Sequence, residues 1–365
     1  MNKLLRLDIQ GFKSIRALND LSLGPINILI GANGAGKSNF VSFFKMLNQM
    51  TDSLGNLQLF VGKYGGGHDL LYEGADVTSR MKGMLRFETD AGLYDYEMEL
   101  AHAGPDTLIF ADEKYRFSGR DSANEASWIS PGPGHRESGL LLKESEAAVN
   151  LRHLLNRCRA YQFHHTGDTA RIRQRWRVED ARELKTDGAN LAPFLRRLGC
   201  SEPKYYRRIV GTIREIAPFF DDFFLEPDNG YVMLQWKEQN SDLLFGPHQA
   251  SDGTLRIMAL IALLLQPEPG LPSVMILDEP ELGLHPYAMT IVAGLIKSVS
   301  VHTQIILATQ SVTFIDLFGP EDIIVADRPG RESVFRRLDP AELEDWLDEY
   351  SLAELWEKNV IGGRP

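Results

Sequence analysis

Short apolar runs recur along the chain, and each is followed by a segment with helical periodicity. The runs are INILIG (26–31), VMILDEP (274–280) and QIILATQS (304–311), and the segments that follow are SNFVSFFKMLNQM, PYAMTIVAGLIKSVSV and VTFIDLF. A short apolar run bounded by turn residues is typical of a strand buried on both faces. The alternation of such strands with helices predicts an α/β fold.

Between the two α/β halves the pattern changes. Three alternating runs, MKGMLRFET, LYDYEMELA and TLIFADEKYRFS, are separated by turn signals and predict an antiparallel β lobe. Helical periodicity then appears in SEAAVNLRHLLNRCRAY, NLAPFLRRL and KYYRRIVGTIREIAPFFDDFF. Two stretches rich in glycine, serine and proline, 61–74 and 118–139, predict mobile or disordered loops. We therefore predict a mixed sheet with an antiparallel lobe and a helical insertion.

The composition limits where the chain can work. Of its 365 residues, 43% are hydrophobic and 24% are charged, as in ordinary globular proteins. The most apolar stretch, IMALIALLL (257–265), is about half as long as a membrane span. The N-terminal MNKLLRLDIQ has polar residues too early for a secretory signal, and the cysteines Cys158 and Cys200 lie far apart. These features predict a cytoplasmic protein that does not enter the membrane.

Positive charge is concentrated in one part of an acidic chain. The net charge is −11, yet residues 152–214 contain fifteen lysines and arginines against six acids. This asymmetry predicts a basic face, although a solvated helical surface with internal ion pairs gives the same count. Arg171, Arg173, Arg175 and Arg177, with Trp176 among them, are the candidates for contacting DNA phosphates. A protein interface is the alternative, because arginines also serve interfaces.

The strand INILIG runs into GANGAGKS (31–38), which matches the P-loop pattern G-x-x-x-x-G-K-[ST] between a strand and a helix. Its glycines let successive backbone N–H groups point at one anion, and the helix N-terminus adds positive potential. Lys37 can reach the β- and γ-phosphates of ATP, and the Ser38 hydroxyl can ligate Mg²⁺. The predicted nucleotide-binding residues are Asn33, Gly34, Ala35, Gly36, Lys37, Ser38 and Asn39.

Two acids follow the apolar run VMIL. Asp278 and Glu279 come at the end of this predicted strand, where acids beside a P-loop can hold Mg²⁺ and activate water. We expect Asp278 to bind Mg²⁺, directly or through water, and Glu279 to orient or deprotonate the attacking water. A surface turn that happens to carry two acids is the alternative.

Together with SDGTLR (251–256), these motifs resemble the ATP-binding-cassette ATPases, and more narrowly the SMC, RecF and OLD group. The resemblance rests on FKS (12–14), LIGANGAGKSNF (29–40), SDGTLR, LDEPELGLHP (277–286) and ATQS (308–311). It implies an ABC-ATPase head that uses ATP and Mg²⁺ and dimerises around ATP. Ser251 and Gly253 match the signature that caps the γ-phosphate of the opposite subunit.

The resemblance also marks positions where the chain departs from the group. Cassette ATPases usually place a histidine after the strand that follows the catalytic acid, whereas this chain has Gln310, which can donate a hydrogen bond but has no switchable charge. Slow hydrolysis is therefore expected. The Q-loop glutamine is not assigned, with Gln58 as a weak candidate. Leu282–Pro286 matches the loop that touches the dimer partner, and its His285 has either that role or a packing or capping role. Lys13 and Ser14 match positions near the nucleotide, with a surface turn as the alternative.

These expectations divide the chain into four segments. They are 1–100 with the P-loop, 101–245 with the meander, the loop and the basic insertion, 246–338 with the signature and the acids, and 339–365 as an acidic helical tail. The predicted function is ATP hydrolysis coupled to DNA repair or anti-phage defence. A slow ATP-dependent switch that binds a protein partner is the first alternative, and a transporter motor subunit is the second.

DNA cleavage is expected to require a separate nuclease or effector protein. Resembling OLD-type proteins carry a Toprim nuclease domain after the ATPase core, but only 54 residues follow Ser311 here. The acid pair Asp221 and Asp222 is expected at a helix end or turn. The tail, with Trp346, Tyr350, Leu352 and Trp356 as apolar anchors, either docks a partner or packs on its own core.

Overall fold

The computed structural model describes residues 2–120 and 126–364. The chain forms two compact units. The first comprises Met1–Ala160, Pro272–Ile276 and Thr303–Pro365, and the second comprises Tyr161–Leu271 and Leu277–His302. Each unit is therefore built from segments that are distant in sequence.

The described residues alternate between strands and helices, as expected for an α/β protein. The strands are β1 (Lys3–Phe12), β2 (Ile15–Ser22), β3 (Ile26–Ile30), β4 (Arg80–Glu88), β5 (Gly92–Ala103), β6 (Thr107–Gly119), β7 (Cys158–Tyr161), β8 (Trp176–Arg177), β9 (Phe220–Phe223), β10 (Tyr231–Val232), β11 (Trp236–Glu238), β12 (Leu244–Phe245), β13 (Val274–Asp278), β14 (Gln304–Ala308), β15 (Ile323–Asp327) and β16 (Val334–Arg337). The helices are α1 (Lys37–Asp52), α2 (Asn56–Lys63), α3 (Gly67–Leu70), α4 (Glu146–Asn156), α5 (Leu191–Ser201), α6 (Pro203–Ile216), α7 (Asp252–Leu264), α8 (Pro286–Val299), α9 (Val312–Ile315), α10 (Glu344–Leu347) and α11 (Leu352–Glu357).

An antiparallel sheet in the first unit has the order β2-β1-β4-β5-β6. The predicted meander is confirmed, since β4 pairs with β5 and β5 with β6 in antiparallel register. Strands β1 and β2, joined by a tight turn at Lys13, extend this lobe. Strand β5 continues across residue 100, where the sequence analysis sets a segment boundary.

A second, mixed sheet has the order β16-β15-β3-β14-β13-β7. Strand β3 pairs in parallel with β14 and with β15, and β15 pairs antiparallel with β16. Every residue of β3, β13 and β14 is buried, which explains why these strands read as continuous apolar runs. Because Ala308 pairs with Leu29, the residues after β14 leave the sheet at the same edge as the residues after β3.

Helix α1 connects the two sheets of the first unit through one apolar core. Phe40, Phe43 and Phe44 are fully buried in this core with side chains of both sheets. Each buried phenylalanine contributes about 1.5–3 kcal/mol relative to an exposed one. The helix that follows the P-loop is therefore rigidly anchored, which fixes the loop at its N-terminus.

The second unit is mainly helical. Helix α6 packs against α5 and α7, and two small antiparallel sheets, β9-β11-β12 and β8-β10, complete the unit. Residues Ile257–Leu265, the most apolar stretch of the sequence, are buried in and just after α7 as a core helix. Among the described residues, every helix is too short or too polar to span a bilayer.

Two predicted loops are more ordered than expected. In the stretch 61–74, α2 extends to Lys63 and α3 forms at Gly67–Leu70, so the expectation of a mobile loop is wrong. Within 118–139, residues 121–125 lie outside the described residues, but Ile129 exchanges backbone hydrogen bonds of 2.8 and 2.9 Å with Tyr115. This part pairs with the outer side of β6, the edge strand of the antiparallel lobe, and so satisfies backbone N–H and C=O groups that β5 does not reach.

Two other segments differ from the expected secondary structure. Helix α4 ends at Asn156, and the residues CRAY, predicted as helix, form strand β7. They are strand because they pair with β13 at the edge of the mixed sheet. Asp221 and Asp222 lie within strand β9 and not at a helix end. Asp222 accepts a 2.7 Å hydrogen bond from Tyr206, and Asp221 forms a 3.0 Å ion pair with Arg214.

The C-terminal tail packs on its own unit. Two short helices, α10 and α11, form in this segment, and the side chains of Leu352 and Trp356 are buried. The backbone N–H of Ala353 donates to Asp316, and the indole N–H of Trp356 donates to the carbonyl of Gly363. Trp346 remains 45% exposed, so half of the predicted anchor set serves the core.

Candidate functional site

The P-loop adopts a conformation that only glycine tolerates at two positions. Gly31 and Gly36 have φ values of 151° and 113°, in the left-handed half of the backbone map. A Cβ atom at Gly31 would collide with the backbone carbonyl of Ala326, and one at Gly36 with the Ser333 side chain. The loop therefore needs these glycines to curl between β3 and α1.

Lys37 is the first residue of α1 and is 6% exposed. Its ammonium donates to the loop carbonyls of Gly31 and Ala32, the latter at 3.1 Å. A buried ammonium needs acceptors, and here the loop itself supplies them. These carbonyls hold the charge in the centre of the curl, where a phosphate would bind.

The remaining predicted P-loop residues divide between exposed and structural positions. Asn33, Gly34 and Ser38 are exposed, whereas Ala35 and Gly36 are buried. Asn39 donates a 2.7 Å hydrogen bond to Ser14, which in turn pairs with Ser333 at 2.7 Å. The FKS turn predicted to lie near the nucleotide is thus bonded directly to the helix that follows the P-loop.

A polar cavity of about 570 Å³ opens beside the P-loop in the same unit. Its lining includes Ser14, Asn39, Tyr72, Glu73, Arg328 and Arg331. Arg328 donates to the Gly34 carbonyl at 3.1 Å, and Arg331 forms a 2.9 Å ion pair with Glu73. The cavity therefore combines an aromatic ring with charged groups of both signs next to the loop.

Lys13 lines this cavity and carries a perturbed ammonium. Burial, with a smaller contribution from Lys45, lowers the pKa of Lys13 from 10.5 to about 8. Its Nζ donates to the Ser42 hydroxyl at 2.8 Å and lies 4.5 Å from the centre of the Tyr64 ring. Lys13 is half-buried, and in the part of the chain that the structure describes its ammonium forms no ion pair, so an anionic ligand in the cavity would stabilise its charged form.

The two predicted acids are in the second unit, at and after the end of β13. Asp278 is 8% exposed and accepts a 3.1 Å hydrogen bond from the amide of Gln162. Glu279 has φ 44°, a left-handed conformation that is uncommon for a residue with a side chain. Strained conformations of this kind cluster at functional sites. The sequence analysis does not identify Gln162 as a site residue. The available signal was a glutamine directly after a strand, here β7.

A small pocket surrounds these acids within the second unit. Tyr161, Phe163 and Leu260 form its apolar wall, and His164, Arg256 and Glu279 bring polar groups to it. The imidazole Nε2 of His164 lies 4.0 Å from a Glu279 carboxylate oxygen. Arg256 donates through Nη2 to the His164 carbonyl at 3.1 Å.

The predicted signature begins α7. Ser251 is its N-cap and accepts a 3.1 Å hydrogen bond from the N–H of Thr254. Ser251 and Asp252 are exposed, so the helix N-terminus faces solvent. A Cβ atom at Gly253 would lie 2.9 Å from the carbonyl of Gly283, so a glycine is needed for this close approach. The signature and the loop after the acids are therefore in contact.

Arg173 does not lie on a phosphate-contacting surface, and that expectation is wrong. Its residue is 5% exposed, and its guanidinium donates to the carbonyl of Thr166 at 2.6 Å and to that of Pro247. It also forms a 2.9 Å ion pair with Asp252. Arg173 thus anchors the loop that leads into the signature, because a buried guanidinium has to satisfy its donors within the protein.

The other cations of this stretch also have intramolecular partners. Arg171 pairs with Asp187 at 3.0 Å and stacks on Trp176, and Arg175 pairs with Asp228. The hydrogen bond that the Arg177 guanidinium donates to the Tyr231 hydroxyl is the main cause that raises the pKa of Arg177. Internal pairing, the alternative in the sequence analysis, therefore describes residues 171–177.

Three further predicted residues have structural contacts. Gln58 donates to the carbonyls of Leu108 and Arg136, so its side chain is used in the antiparallel lobe. His285 is the N-cap of α8 and accepts a 3.3 Å hydrogen bond from the N–H of Tyr287. Gln310 is half-buried after β14, at the sheet edge where the P-loop leaves β3.

Comparison with known proteins places these features in a family. Residues 26–316 match the family described as "AAA domain, putative AbiEii toxin, Type IV TA system". The match runs from the first residue of β3 to beyond α9, and thus includes the P-loop, the signature and the acids. A comparison with curated proteins gave no match.

Two solved structures share the fold over nearly the whole chain. An Smc head bound to the C-winged helix domain of ScpA superposes with a TM-score of 0.61 at 16% identity, covering 93% of this chain and 99% of the other. An Smc head with an extended coiled coil, bound to the C-terminal domain of ScpA from Pyrococcus furiosus, superposes with a TM-score of 0.56 at 13% identity, covering 96% and 99%. The predicted fold class, an ABC-ATPase head, is confirmed.

Proposed function

The chain belongs to the AAA-domain family that residues 26–316 match, and from this premise we propose that it binds MgATP and hydrolyses the γ-phosphate. One observation carries the proposal. The P-loop of the first unit curls around the Lys37 ammonium at the N-terminus of α1. Such a loop is an anion site for phosphates, because backbone N–H groups, a helix N-terminus and a lysine converge on it.

Each predicted residue receives a role in this reaction. The backbone from Asn33 to Gly36 cradles the phosphates, Lys37 pairs with their charge, and Asn39 holds the turn that contains Ser14. The Ser38 hydroxyl and the Asp278 carboxylate are the oxygen ligands that would hold Mg²⁺, and oxygen ligands are what this hard cation prefers. Mg²⁺, when bound, neutralises charge on the transferring phosphoryl group.

The cavity beside the P-loop is the proposed position of the nucleoside. Its volume of about 570 Å³ is within the range typical of small-ligand pockets. Tyr72 offers a ring for stacking on the base, and the ion pair of Glu73 with Arg331 offers groups that bind ribose hydroxyls. Lys13, whose ammonium is costly to bury, gains stability from a nearby phosphate.

Glu279 is the proposed general base. Its carboxylate accepts a proton from the attacking water or orients that water in line with the phosphoryl group. Gln162, which donates to Asp278 at 3.1 Å, is the proposed Q-loop glutamine in place of Gln58. Gln310 occupies the position of the usual histidine and donates a hydrogen bond to the γ-phosphate, which predicts slow turnover.

A second copy of the chain completes the site in this proposal. Ser251 and Gly253 form an exposed helix N-terminus with a hydroxyl and bare backbone, which suits a phosphate of another protomer. Leu282, 42% exposed, and Tyr287, 58% exposed, add apolar surface near it. The two Smc heads that share the fold are bound to domains of ScpA, and this likeness supports a protein partner in addition to the second copy.

Steady-state phosphate release tests the proposal. The wild-type chain should hydrolyse MgATP, Lys37→Ala should fail to bind it, and Glu279→Gln should bind it but turn over about 10²- to 10⁴-fold more slowly. Lys297→Ala removes an exposed lysine of α8 and is the control. Unchanged ATP affinity in Lys37→Ala by calorimetry would contradict the P-loop assignment.

DNA is the proposed macromolecular substrate, with repair or anti-phage defence as the setting. The cations that support this are Lys204, Arg207 and Arg208 on helix α6. All three are exposed, and among the described residues none of them forms an ion pair. Cleavage is assigned to a separate nuclease or effector protein, and no cluster of three or more metal-ligating side chains occurs in residues 2–120 and 126–364.

A slow regulatory switch is the second candidate function. The observation that favours it is Gln310, which lacks the switchable charge of a histidine at the sheet edge beside the P-loop. A switch of this kind binds ATP, pairs and engages a protein, and resets only rarely. Turnover that stays slow and is unchanged by duplex DNA would favour the switch over the DNA-acting ATPase.

A further inference from the structure

His164 lies beside the proposed general base in a defined chain of side chains. Its imidazole Nε2 is 4.0 Å from Glu279, and this nitrogen is shielded from solvent. In the portion of the chain that the structure describes, Nε2 makes no hydrogen bond. A buried ring nitrogen aimed at a carboxylate without a hydrogen bond is costly unless another state of the protein uses it.

The hydrogen bonds of Gln162 determine which nitrogen of His164 carries the proton. The Gln162 amide nitrogen lies 3.1 Å from Asp278 and 3.2 Å from Nδ1 of His164. The carboxylate only accepts, so the side chain of Gln162 must present its NH₂ group here, and Nδ1 must accept. The neutral imidazole then has its proton on Nε2, the nitrogen that faces Glu279.

The backbone of His164 is also held in place. Arg256, in the second turn of the signature helix α7, donates to the His164 carbonyl at 3.1 Å and is 3.4 Å from the Leu282 carbonyl. The apolar wall of Tyr161 and Phe163 flanks the same short segment. The imidazole is therefore positioned by Gln162 on one side and by Arg256 on the other.

We propose that His164 is a positioning residue, which donates through its Nε2–H to the Glu279 carboxylate and fixes the orientation of that carboxylate toward the attacking water. This inference rests on the proposed role of Glu279. The 4.0 Å separation shortens to a hydrogen bond when nucleotide binds, since such contacts are often long before the substrate complex forms.

His164 also brings a histidine close to Glu279 in a chain that has Gln310 at the position of the usual histidine. Gln310 stands where the related ATPases usually have a histidine, but a histidine does approach the general base from a different element, the segment after β7. Glu279 itself has a strained backbone at φ 44°, so its side chain direction depends on neighbours that hold it. His164 is the neighbour whose donor faces it.

Kinetics on three variants test the role. His164→Leu removes the donor at similar size, and we expect kcat to fall by about 10- to 100-fold, as for a misplaced catalytic group, with the KM for MgATP unchanged. His164→Gln places an amide N–H near the position of Nε2 and should retain kcat within about threefold of wild type. His165→Leu changes the exposed neighbouring histidine and is the matched control, with wild-type kcat.

A double variant distinguishes this inference from the proposed function. If His164 acts through Glu279, His164→Leu should have no further effect on kcat in a Glu279→Gln background. Effects that multiply, or a His164→Gln variant as slow as His164→Leu, would overturn the inference. Unchanged kcat in Glu279→Gln alone would instead contradict the general-base assignment and leave the Walker-type ATP binding intact.

The tautomer gives a readout that does not depend on turnover or on a folded leucine variant. Long-range ¹⁵N–¹H spectra of histidine-labelled wild-type protein, with His164→Gln to assign the signal, should show His164 protonated on Nε2 and not on Nδ1. Thermal melts of each variant establish that it is folded. A proton on Nδ1 would overturn the proposed hydrogen-bond direction.

Discussion

Arg173 shows how one side chain changes the interpretation of a basic segment. In the sequence it is one of four alternating arginines with an interleaved tryptophan, a pattern that suits phosphate contacts. In the structure its guanidinium is buried against Thr166, Pro247 and Asp252. The guanidinium therefore holds the residues that precede and begin α7, and it is not available to bind a ligand.

Replacing this arginine should destabilise the protein. Arg173→Ala leaves buried carbonyls and the Asp252 carboxylate without their donor, and we expect it to lower the free energy of unfolding by about 2–4 kcal/mol. Arg175→Ala, which removes an exposed ion pair with Asp228, should cost at most about 1 kcal/mol. Denaturant unfolding of both variants measures the difference, and equal losses would show that Arg173 is not a buried anchor.

Lys13 provides a pH-dependent test of its buried position. Its pKa is lowered to about 8 by burial first and by Lys45 second, against 10.5 in the unfolded chain. The unfolded state therefore binds this proton more tightly. Below about pH 8 the buried ammonium lowers the free energy of unfolding by its full amount. This loss of stability disappears as the pH rises from about 8 to 10.5.

The comparison variant is Lys13→Met. The free energy of unfolding of the wild type, minus that of Lys13→Met, should be flat below about pH 8 and should increase from pH 8 to 10.5. Urea unfolding across this range measures it. A difference that stays constant through the whole range would mean that the ammonium is solvated.

Residues whose role is local could be predicted from the sequence, and residues whose role depends on distant partners could not. The P-loop from Gly31 to Ser38 was predictable because strand, turn and helix are contiguous. Gln162 was missed because its partner Asp278 is 116 positions away. Gln58 is considered for the Q-loop for the same reason. Its partners, the carbonyls of Leu108 and Arg136, are also distant in sequence.

At the scale of elements, periodicity identified the strands well and the loops poorly. Strands β3, β13 and β14 are buried on both faces, so their apolar runs are unambiguous. The glycine-rich stretch 61–74 looked mobile, but its glycines permit the turns around α3, where Asp106 accepts the His68 N–H. Glycine content indicates allowed backbone conformations, and it does not by itself indicate motion.

Helix α6 is the element on which the DNA part of the proposal depends. The pair Arg207→Glu and Arg208→Glu should weaken binding to duplex DNA by about 10-fold or more and lower the salt dependence by about one unit per lost phosphate contact. Basal ATPase should not change. The charge-matched control is Arg171→Glu with Arg175→Glu, since these two arginines already have carboxylate partners.

Fluorescence anisotropy across a salt series measures both effects. Equal losses in the two double variants would indicate net charge and not a specific face. Intact DNA affinity in the α6 variant would assign these exposed cations to a protein partner.

At the scale of the whole molecule, the chain has the fold of an Smc head, and the N-terminus of α7, which carries the predicted signature, is exposed to solvent. In the proposed function, Ser251 and Gly253 contact nucleotide only when a second protomer brings one to them. ATP binding is therefore expected to drive pairing, and hydrolysis by Glu279 is expected to reverse it. Blocking hydrolysis while keeping ATP binding should accumulate the pair.

Analytical ultracentrifugation of the Glu279→Gln protein, with and without saturating MgATP, measures whether ATP binding drives pairing. We expect the 41.0 kDa monomer without nucleotide and twice that mass with MgATP. Adding Ser251→Arg, which places a bulky cation at the exposed helix N-terminus, should return the nucleotide-bound protein to the monomer. A Glu279→Gln protein that binds MgATP by calorimetry and yet remains at 41.0 kDa would contradict the claim that a second copy completes the site.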